Sequence, residues 1–114
     1  MDCRSDEQLL MVARALSDPI RCQILDLISR WNAEEPARCC PDGMCVCDIQ
    51  EALGLKQSKV SYHLKELKNA GLLYEQRKGK WHYYTVNRET LKRFCLELNR
   101  RFSLKLPGLE MEVR

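Results

Sequence analysis

Seven cysteines are the residues of this chain best suited to chemistry. They stand at positions 3, 22, 39, 40, 45, 47 and 95 of 114 residues. Cysteine thiolates bind soft and borderline metal ions, and they can also be oxidised. The number is odd and residues 1–7 are polar rather than signal-like, so a disulfide framework is disfavoured. We therefore expect a cytoplasmic protein that uses its thiols for metal binding or redox sensing.

Four of these cysteines lie close together in the sequence. Cys39 and Cys40 fall in a break from Asn32 to Met44 that holds two prolines and a glycine, and Cys45 and Cys47 follow directly. Side chains at i and i+2 of a regular helix point about 200° apart, whereas an extended or distorted first turn brings them to one side. We therefore expect metal binding to unwind or shift the start of the helix that follows.

The other three cysteines have different predicted roles. Cys22 is predicted to pack as a small residue near the edge of an apolar stripe. Cys95 falls on the apolar face of the final helix and is likewise predicted to pack. Cys3 is left open as a further metal ligand.

Positive charge is concentrated in one segment. Between residues 56 and 83, seven lysines and arginines face two glutamates, so the segment carries +5 and the other 86 residues carry −2. Such a segment in a nearly neutral chain is typical of a surface that binds a polyanion. The alternative at this point is a solvated helix face followed by a charged turn.

Apolar periodicity predicts the helices that position these residues. A first helix spans residues 6–16, and its apolar face holds Leu9, Val12, Ala13 and Leu16. Ser17-Asp18-Pro19 predicts the start of a second helix. A short helix over residues 48–55 and a longer one over about 57–70, joined by a glycine-containing turn, are typical of a helix-turn-helix.

Two strand-like runs, residues 72–76 and 81–86, flank a basic connection with a glycine and predict a β-hairpin. Asn87 then opens a final helix of about residues 88–103. The predicted fold is α+β but mostly α: a winged helix-turn-helix with a two-stranded β-hairpin wing, dimeric through its first and last helices. We expect one domain over residues 1–114 with a DNA-binding core of about 46–86.

The longer helix of the motif turns its apolar stripe inward, so its polar side chains are predicted to enter the major groove. The basic hairpin is predicted to lie against phosphates or a minor groove. His63 is expected to be a half-buried structural residue. The candidate DNA-binding residues are Gln57, Ser58, Lys59, Ser61, Tyr62, Arg77, Lys78 and Lys80.

Several blocks of this sequence resemble the ArsR/SmtB family of metal-responsive repressors. Cys45-Val46-Cys47-Asp48-Ile49 is similar to the start of the first helix of that family's DNA-binding motif. Residues 53–64 with 70–73 resemble its recognition-helix block, residues 77–84 resemble its wing, and residues 15–21 resemble the start of its second helix. Lys56 departs from the pattern, because many members carry a serine there.

The resemblance implies a homodimer that represses an operon by binding an inverted repeat of double-stranded DNA and is released by a metal. Arsenite-sensing members often carry a third cysteine where this chain has Gln50, and Cys39 or Cys40 is the expected replacement. Arsenic(III) or antimony(III) is the expected inducer, with cadmium, lead or zinc as the alternative. The metal-site candidates are Cys45, Cys47, Cys39 and Cys40.

Two other functions remain open at this point. A redox sensor could use the same cysteines to form a disulfide, and a constitutive DNA-binding module could use them for structural zinc. The paired spacing of zinc fingers is absent from the sequence. No nucleophile–base arrangement or cofactor fingerprint supports an enzyme, and the longest apolar run, residues 9–13, is too short to cross a membrane.

Overall fold

Helices make up most of the fold. The computed structural model of the protein describes residues 3–31 and 43–107, with side chains from residue 6 onward. Within these ranges no helix has the length and apolar character needed to cross a bilayer. In chain order the elements are α1 (Cys3–Ala15), α2 (Pro19–Ser29), β1 (Met44–Cys45), α3 (Val46–Leu53), α4 (Gln57–Asn69), β2 (Leu73–Lys78), β3 (Trp81–Val86) and α5 (Arg88–Phe102).

The predicted start of the second helix is confirmed. The Asp18 carboxylate accepts hydrogen bonds from the backbone N–H groups of Ile20 and Arg21, and Pro19 occupies the first helical position. Both features are favoured there because the first N–H groups of a helix lack partners and proline has none to satisfy. Ile24 and Ile28 of this helix are buried in the core.

Helices α3 and α4 form the predicted helix-turn-helix. Gly54 ends α3 with a left-handed φ of 66°, a conformation that glycine adopts without steric cost. Val60, Leu64 and Leu67 of α4 are buried, as the apolar stripe predicted. The opposite face of α4 is thereby left exposed.

The predicted hairpin is confirmed, and a third strand extends it. The order of the antiparallel sheet is β1-β3-β2, with Met44 opposite Tyr84 and Cys45 opposite Tyr83. The prediction of a break from Asn32 to Met44 was therefore wrong at its end, because Met44 belongs to β1. The connection between β2 and β3 is also shorter than predicted, since Arg77 and Lys78 pair with β3 and only Gly79 and Lys80 form the turn.

The last helix closes the fold against the first. Asn87 caps α5 by accepting a hydrogen bond from the backbone N–H of Thr90, as predicted. Helices α1 and α5 are in contact. Arg101 of α5 also forms an ion pair with Asp6 of α1.

Three side chains predicted to pack are exposed in this chain. Cys22 lies on the solvent face of α2, where its thiol donates to the backbone oxygen of Leu16 at 3.1 Å. Cys95 and Ala13 are also exposed, on α5 and α1, although Leu9, Val12 and Leu16 of the predicted α1 stripe are buried or half-buried. On α1 the buried residues are Val12 and Ala15.

Candidate metal centre and nucleic-acid interface

Cys45 and Cys47 meet at the junction of β1 and α3. Cys45 occupies the position before the helix in an extended conformation, with φ −88° and ψ 166°, and Cys47 lies in the first helical turn. Their Sγ atoms are 2.6 Å apart. The two thiols therefore converge without unwinding of α3, because only one of the two residues is helical. A shift of the start of α3 on metal binding stays a prediction.

Asp48 adds an oxygen donor to this pair. One ligand atom from each of Cys45, Cys47 and Asp48 lies within 4.8 Å of the others, and we name these three residues the thiol site. Sequence analysis missed Asp48. The signal was a carboxylate placed directly after Cys-x-Cys in a first helical turn, where negative charge is favoured.

The two thiols differ in exposure and in acidity. Cys45 is only 2% exposed, whereas Cys47 is exposed to solvent. The hydrogen bond with Cys45, reinforced by desolvation, raises the pKa of Cys47 to about 11. Cys47 is therefore a protonated thiol at neutral pH.

A cavity of about 260 Å³ lies beside the thiol site. Its walls come from three parts of the DNA-binding motif: the start of α3, the start of α4 and the wing, the last being the β2–β3 hairpin. A ligand held by the thiols would therefore lie next to both α4, the recognition helix of the motif, and the wing. The lining residues are Cys45, Val46, Cys47, Gln50, Gln57, Lys80, Trp81 and His82.

The side chains of the other predicted metal ligands are not among those the structure describes. Cys39 and Cys40 are outside the described residues, and for Cys3 only the helical backbone is described. Gln50 lines the cavity at the position where a third cysteine was expected from the resemblance. Among the described residues the thiol site thus contains two sulfur ligands and one carboxylate.

All eight candidate DNA-binding residues are exposed. Gln57, Ser58, Lys59, Ser61 and Tyr62 line the solvent side of the first half of α4, and Arg77, Lys78 and Lys80 lie on the wing. Lys80 sits with its ammonium 5.6 Å from the ring centre of Trp81, which is itself half exposed. Cations and polar side chains thus stand together on one helix and one hairpin, the two elements that read DNA in this motif.

His63 does not share that exposed face. It is 5% exposed, and its Nδ1 lies 3.4 Å from Nη1 of the buried Arg21. The expected structural role is confirmed, although His63 is buried rather than half-buried. Arg21 in turn donates through Nε to the backbone oxygen of Ala15, so this pair ties α2 and α4 to the end of α1.

A second polar cluster, also missed by sequence analysis, lies at the base of the wing. Glu75 of β2 accepts hydrogen bonds from Lys68 at 2.5 Å, from His82 Nδ1, and from the Tyr84 hydroxyl at 3.2 Å. We name these four residues the carboxylate cluster. The bond from Lys68, aided by His82 and Tyr84, lowers the pKa of Glu75 to about 2. Burial, aided by the Glu75 charge, raises the pKa of Tyr84 to about 12.

Comparison with known proteins gives the same picture at the level of the family. Residues 41–75 match the family described as bacterial regulatory protein, arsR family. The arsenical resistance operon repressor of Bacillus subtilis is 51% identical over 77 residues, which are 67% of this chain and 63% of that protein. An arsenic resistance transcriptional regulator of Pseudomonas putida is 37% identical over 79 residues, which are 69% of this chain and 54% of that protein.

The chain therefore spans less than two thirds of the length of these two relatives. A shorter relative is matched over more of its length. The arsenical resistance operon repressor of Staphylococcus xylosus is 33% identical over 87 residues, which are 76% of this chain and 73% of that repressor.

Solved structures share the fold at lower identity. An ArsR-like transcriptional regulator from Rhodococcus superposes with a TM-score of 0.71 at 22% identity, over 85% of this chain and 81% of that one. A homodimeric winged helix-turn-helix DNA-binding domain from Mycobacterium bovis gives 0.63 at 24% identity, over 93% and 92%. The relatives and the fold are those of transcriptional regulators and not of enzymes. This chain belongs to the ArsR family of bacterial regulatory proteins.

Proposed function

We propose that this protein is a homodimeric transcriptional repressor that leaves its operator when arsenite or antimonite binds at the thiol site. The single observation that carries the proposal is the cavity that Cys45 and Cys47 share with Gln57 of the recognition helix and with Lys80 and Trp81 of the wing. A ligand there borders both elements that contact DNA. The names of the relatives, repressors of arsenical resistance operons, support the choice of inducer.

The donor set of the site fits a thiophilic inducer. Thiolates select soft and borderline ions over hard cations. Arsenic(III) takes three thiolates, and each thiol that replaces a hydroxide on arsenic releases one water, so no oxidant or reductant is needed. Cys45 and Cys47 supply two of the three, and Cys39 or Cys40 is proposed to supply the last.

Release follows from the position of the ligand. The thiols already converge, so binding by this pair does not require α3 to unwind. Instead, drawing a third ligand into the cavity would displace the start of α3 or the wing relative to Gln57. Binding to an inverted repeat depends on the spacing of the two half-sites, so a small displacement weakens it.

We propose that the dimer forms through the first and last helices. Leu10, Met11 and Phe102 are exposed there, the last at 65%, although they are large and apolar. Leu104 and Leu106, which follow α5 in the chain, are exposed as well. An apolar patch of this kind is typical of an interface between protein chains.

Operator binding is assigned to the exposed face of α4 and to the wing. Gln57, Ser58, Ser61 and Tyr62 are proposed to face bases, and Lys59, Arg77, Lys78 and Lys80 to bind phosphates. The net charge of +5 between residues 56 and 83 supports this surface.

A divalent cation such as cadmium, lead or zinc is the second candidate inducer. It is favoured by Asp48, whose carboxylate oxygen lies within 4.8 Å of both thiols. Mixed sulfur and oxygen ligands suit a borderline cation better than they suit arsenic(III).

A gel-shift experiment on the promoter fragment upstream of the protein's own gene tests the proposal. Arsenite, antimonite, cadmium, lead, zinc and peroxide are added separately, the first five with reductant. We expect arsenite and antimonite to release the DNA. Release by a divalent cation alone would favour the second candidate, and release only by peroxide would replace metal sensing with redox sensing.

A further inference from the structure

We propose that Glu75 is a positioning residue that holds the wing at a fixed angle to the recognition helix, and that operator binding depends on it. The inference rests on the DNA-binding role assigned to α4 and the wing. It concerns a residue that neither touches the thiol site nor belongs to the proposed DNA-binding set.

Glu75 forms hydrogen bonds to two other elements of the DNA-binding motif. Its side chain is 13% exposed and accepts from donors on two other elements, Lys68 of α4 and the β3 residues His82 and Tyr84. An ionised carboxylate has about four acceptor positions, so three donors nearly fill it. Hydrogen bonds to an ionised group are about twice as strong as neutral ones. Glu75 therefore ties the recognition helix to both strands of the wing.

The negative charge of Glu75 opposes DNA binding, whereas its hydrogen bonds are proposed to support it. It is one of only two acidic residues among seven cations between residues 56 and 83. A carboxylate on a DNA-binding surface repels phosphates, and its ion pair with Lys68 also offsets one positive charge of that surface. Electrostatics alone therefore predicts that neutralising Glu75 tightens DNA binding. The positioning role predicts that the same change weakens binding to the operator. The two explanations therefore predict opposite changes in operator affinity.

Glu66 provides the matched control. It is the other acidic residue of the segment and lies on α4, but its side chain has no hydrogen bond or ion pair with any described residue. Glu66→Gln changes the net charge by the same amount as Glu75→Gln without touching the carboxylate cluster. Tyr84→Phe removes one donor at no change in charge.

The test measures binding of the full-length protein to the promoter fragment and to a scrambled duplex of equal length. We expect Glu75→Gln to weaken promoter binding about tenfold, with unchanged or tighter binding to the scrambled duplex. Glu66→Gln should weaken neither, and Tyr84→Phe should cost about threefold on the promoter alone. Promoter binding by Glu75→Gln as tight as that of the wild type would overturn the proposal.

Hydrogen exchange of the free protein separates this inference from the proposed function. Backbone amides of residues 76–82 should exchange about tenfold faster in Glu75→Gln than in the wild type or in Glu66→Gln. Unchanged exchange would overturn the positioning role even if the promoter is bound specifically. If Glu75→Gln exchanges faster but the wild-type protein binds the promoter no better than the scrambled duplex, only the proposed function is refuted. Should Glu75→Gln not fold, Tyr84→Phe must show the smaller changes in both measurements, or the proposal fails.

Discussion

The thiol site and the carboxylate cluster lie along opposite edges of β3 and are built in opposite ways. β1 brings Cys45 to one edge, next to Cys47 and a cavity of about 260 Å³. β2 brings Glu75 to the other edge, where three donors surround a carboxylate that stays ionised. One region leaves room beside its donor atoms for a ligand, and the other leaves almost no acceptor position unused. The first region can therefore change when a ligand enters, and the second holds its geometry.

The largest expected effect comes from removing the thiols. Cys45→Ser or Cys47→Ser should abolish release by arsenite, at least a hundredfold loss of response, because a hydroxyl does not replace a thiolate on a soft ion. DNA binding without inducer should stay within about twofold of the wild type. A titration of the DNA complex with arsenite, followed by gel shift, measures both.

Cys22→Ser and Cys95→Ser are the matched controls. Both cysteines are exposed on helices and distant in sequence from the thiol site. Each variant should keep the full arsenite response. Loss of the response in either one would contradict the claim that the β1–α3 junction is where the inducer binds.

The second effect comes from disturbing β1. Gly43 has a φ of 145°, and a Cβ built on it would lie 2.7 Å from the backbone oxygen of Tyr84. Gly43→Ala should therefore lower the free energy of unfolding by about 2 kcal/mol, through strain and a backbone clash together. It should also weaken arsenite binding, because β1 carries Cys45. Urea unfolding measures the first quantity.

Gly54→Ala separates strain from clash. Gly54 has a φ of 66°, but a Cβ there meets nothing within 4 Å. It should cost only about 1 kcal/mol, the usual cost of a left-handed conformation outside glycine. An equal or larger loss than in Gly43→Ala would show that the close approach of β1 to β3 is unimportant.

These two glycines also mark what the sequence could and could not predict. Gly54 was predicted as a helix end, because capping is local and the apolar pattern stops beside it. β1 was missed because two residues are too few to show a strand pattern. The pairing of Cys45 with Tyr83 joins residues far apart in the chain, so the sequence did not reveal how the cavity is enclosed.

Local patterns were predicted correctly elsewhere in the chain, and contacts between distant segments were missed. The stripe of Val60, Leu64 and Leu67 was predicted correctly, because a buried helix face follows from periodicity alone. The sequence shows Glu75 only as one charge among many, because its three donors are brought together by the hairpin and by the end of α4. Cys22 and Cys95 were predicted to pack but are exposed, since a residue near the edge of an apolar stripe can fall on either side.

The third effect concerns the wing and recognition helix, which both regions of the comparison border. Lys80→Ala and Lys59→Ala should each lower the slope of log affinity against log salt by about 0.9, the value for one lost phosphate contact. Gln57→Ala should instead relax base preference with little change in the slope. Lys92→Ala on α5 is the control and should change neither. Fluorescence anisotropy of labelled DNA at several salt concentrations measures the slopes.

The smallest effect is the pH dependence of the carboxylate cluster. The pKa of Glu75 is lowered from 4.5 to about 2, so its contribution to stability is fully present above pH 4.5 and is lost as the pH falls toward 2. Urea unfolding between pH 6 and pH 3 should show this loss in the wild type and a smaller one in Glu75→Gln. Identical curves would mean that Glu75 is not held by its donors.

The central claim is that a ligand at the thiol site releases DNA, and one titration tests it most directly. Arsenite is added in reductant to the dimer bound to its labelled promoter fragment, while thiolate–arsenic absorbance and DNA anisotropy are recorded on the same sample. We predict that absorbance rises as anisotropy falls, with both changes complete near one arsenic per thiol site. A full rise in absorbance with the DNA still bound would contradict the account, because the site would then bind the metalloid without any coupling to the operator.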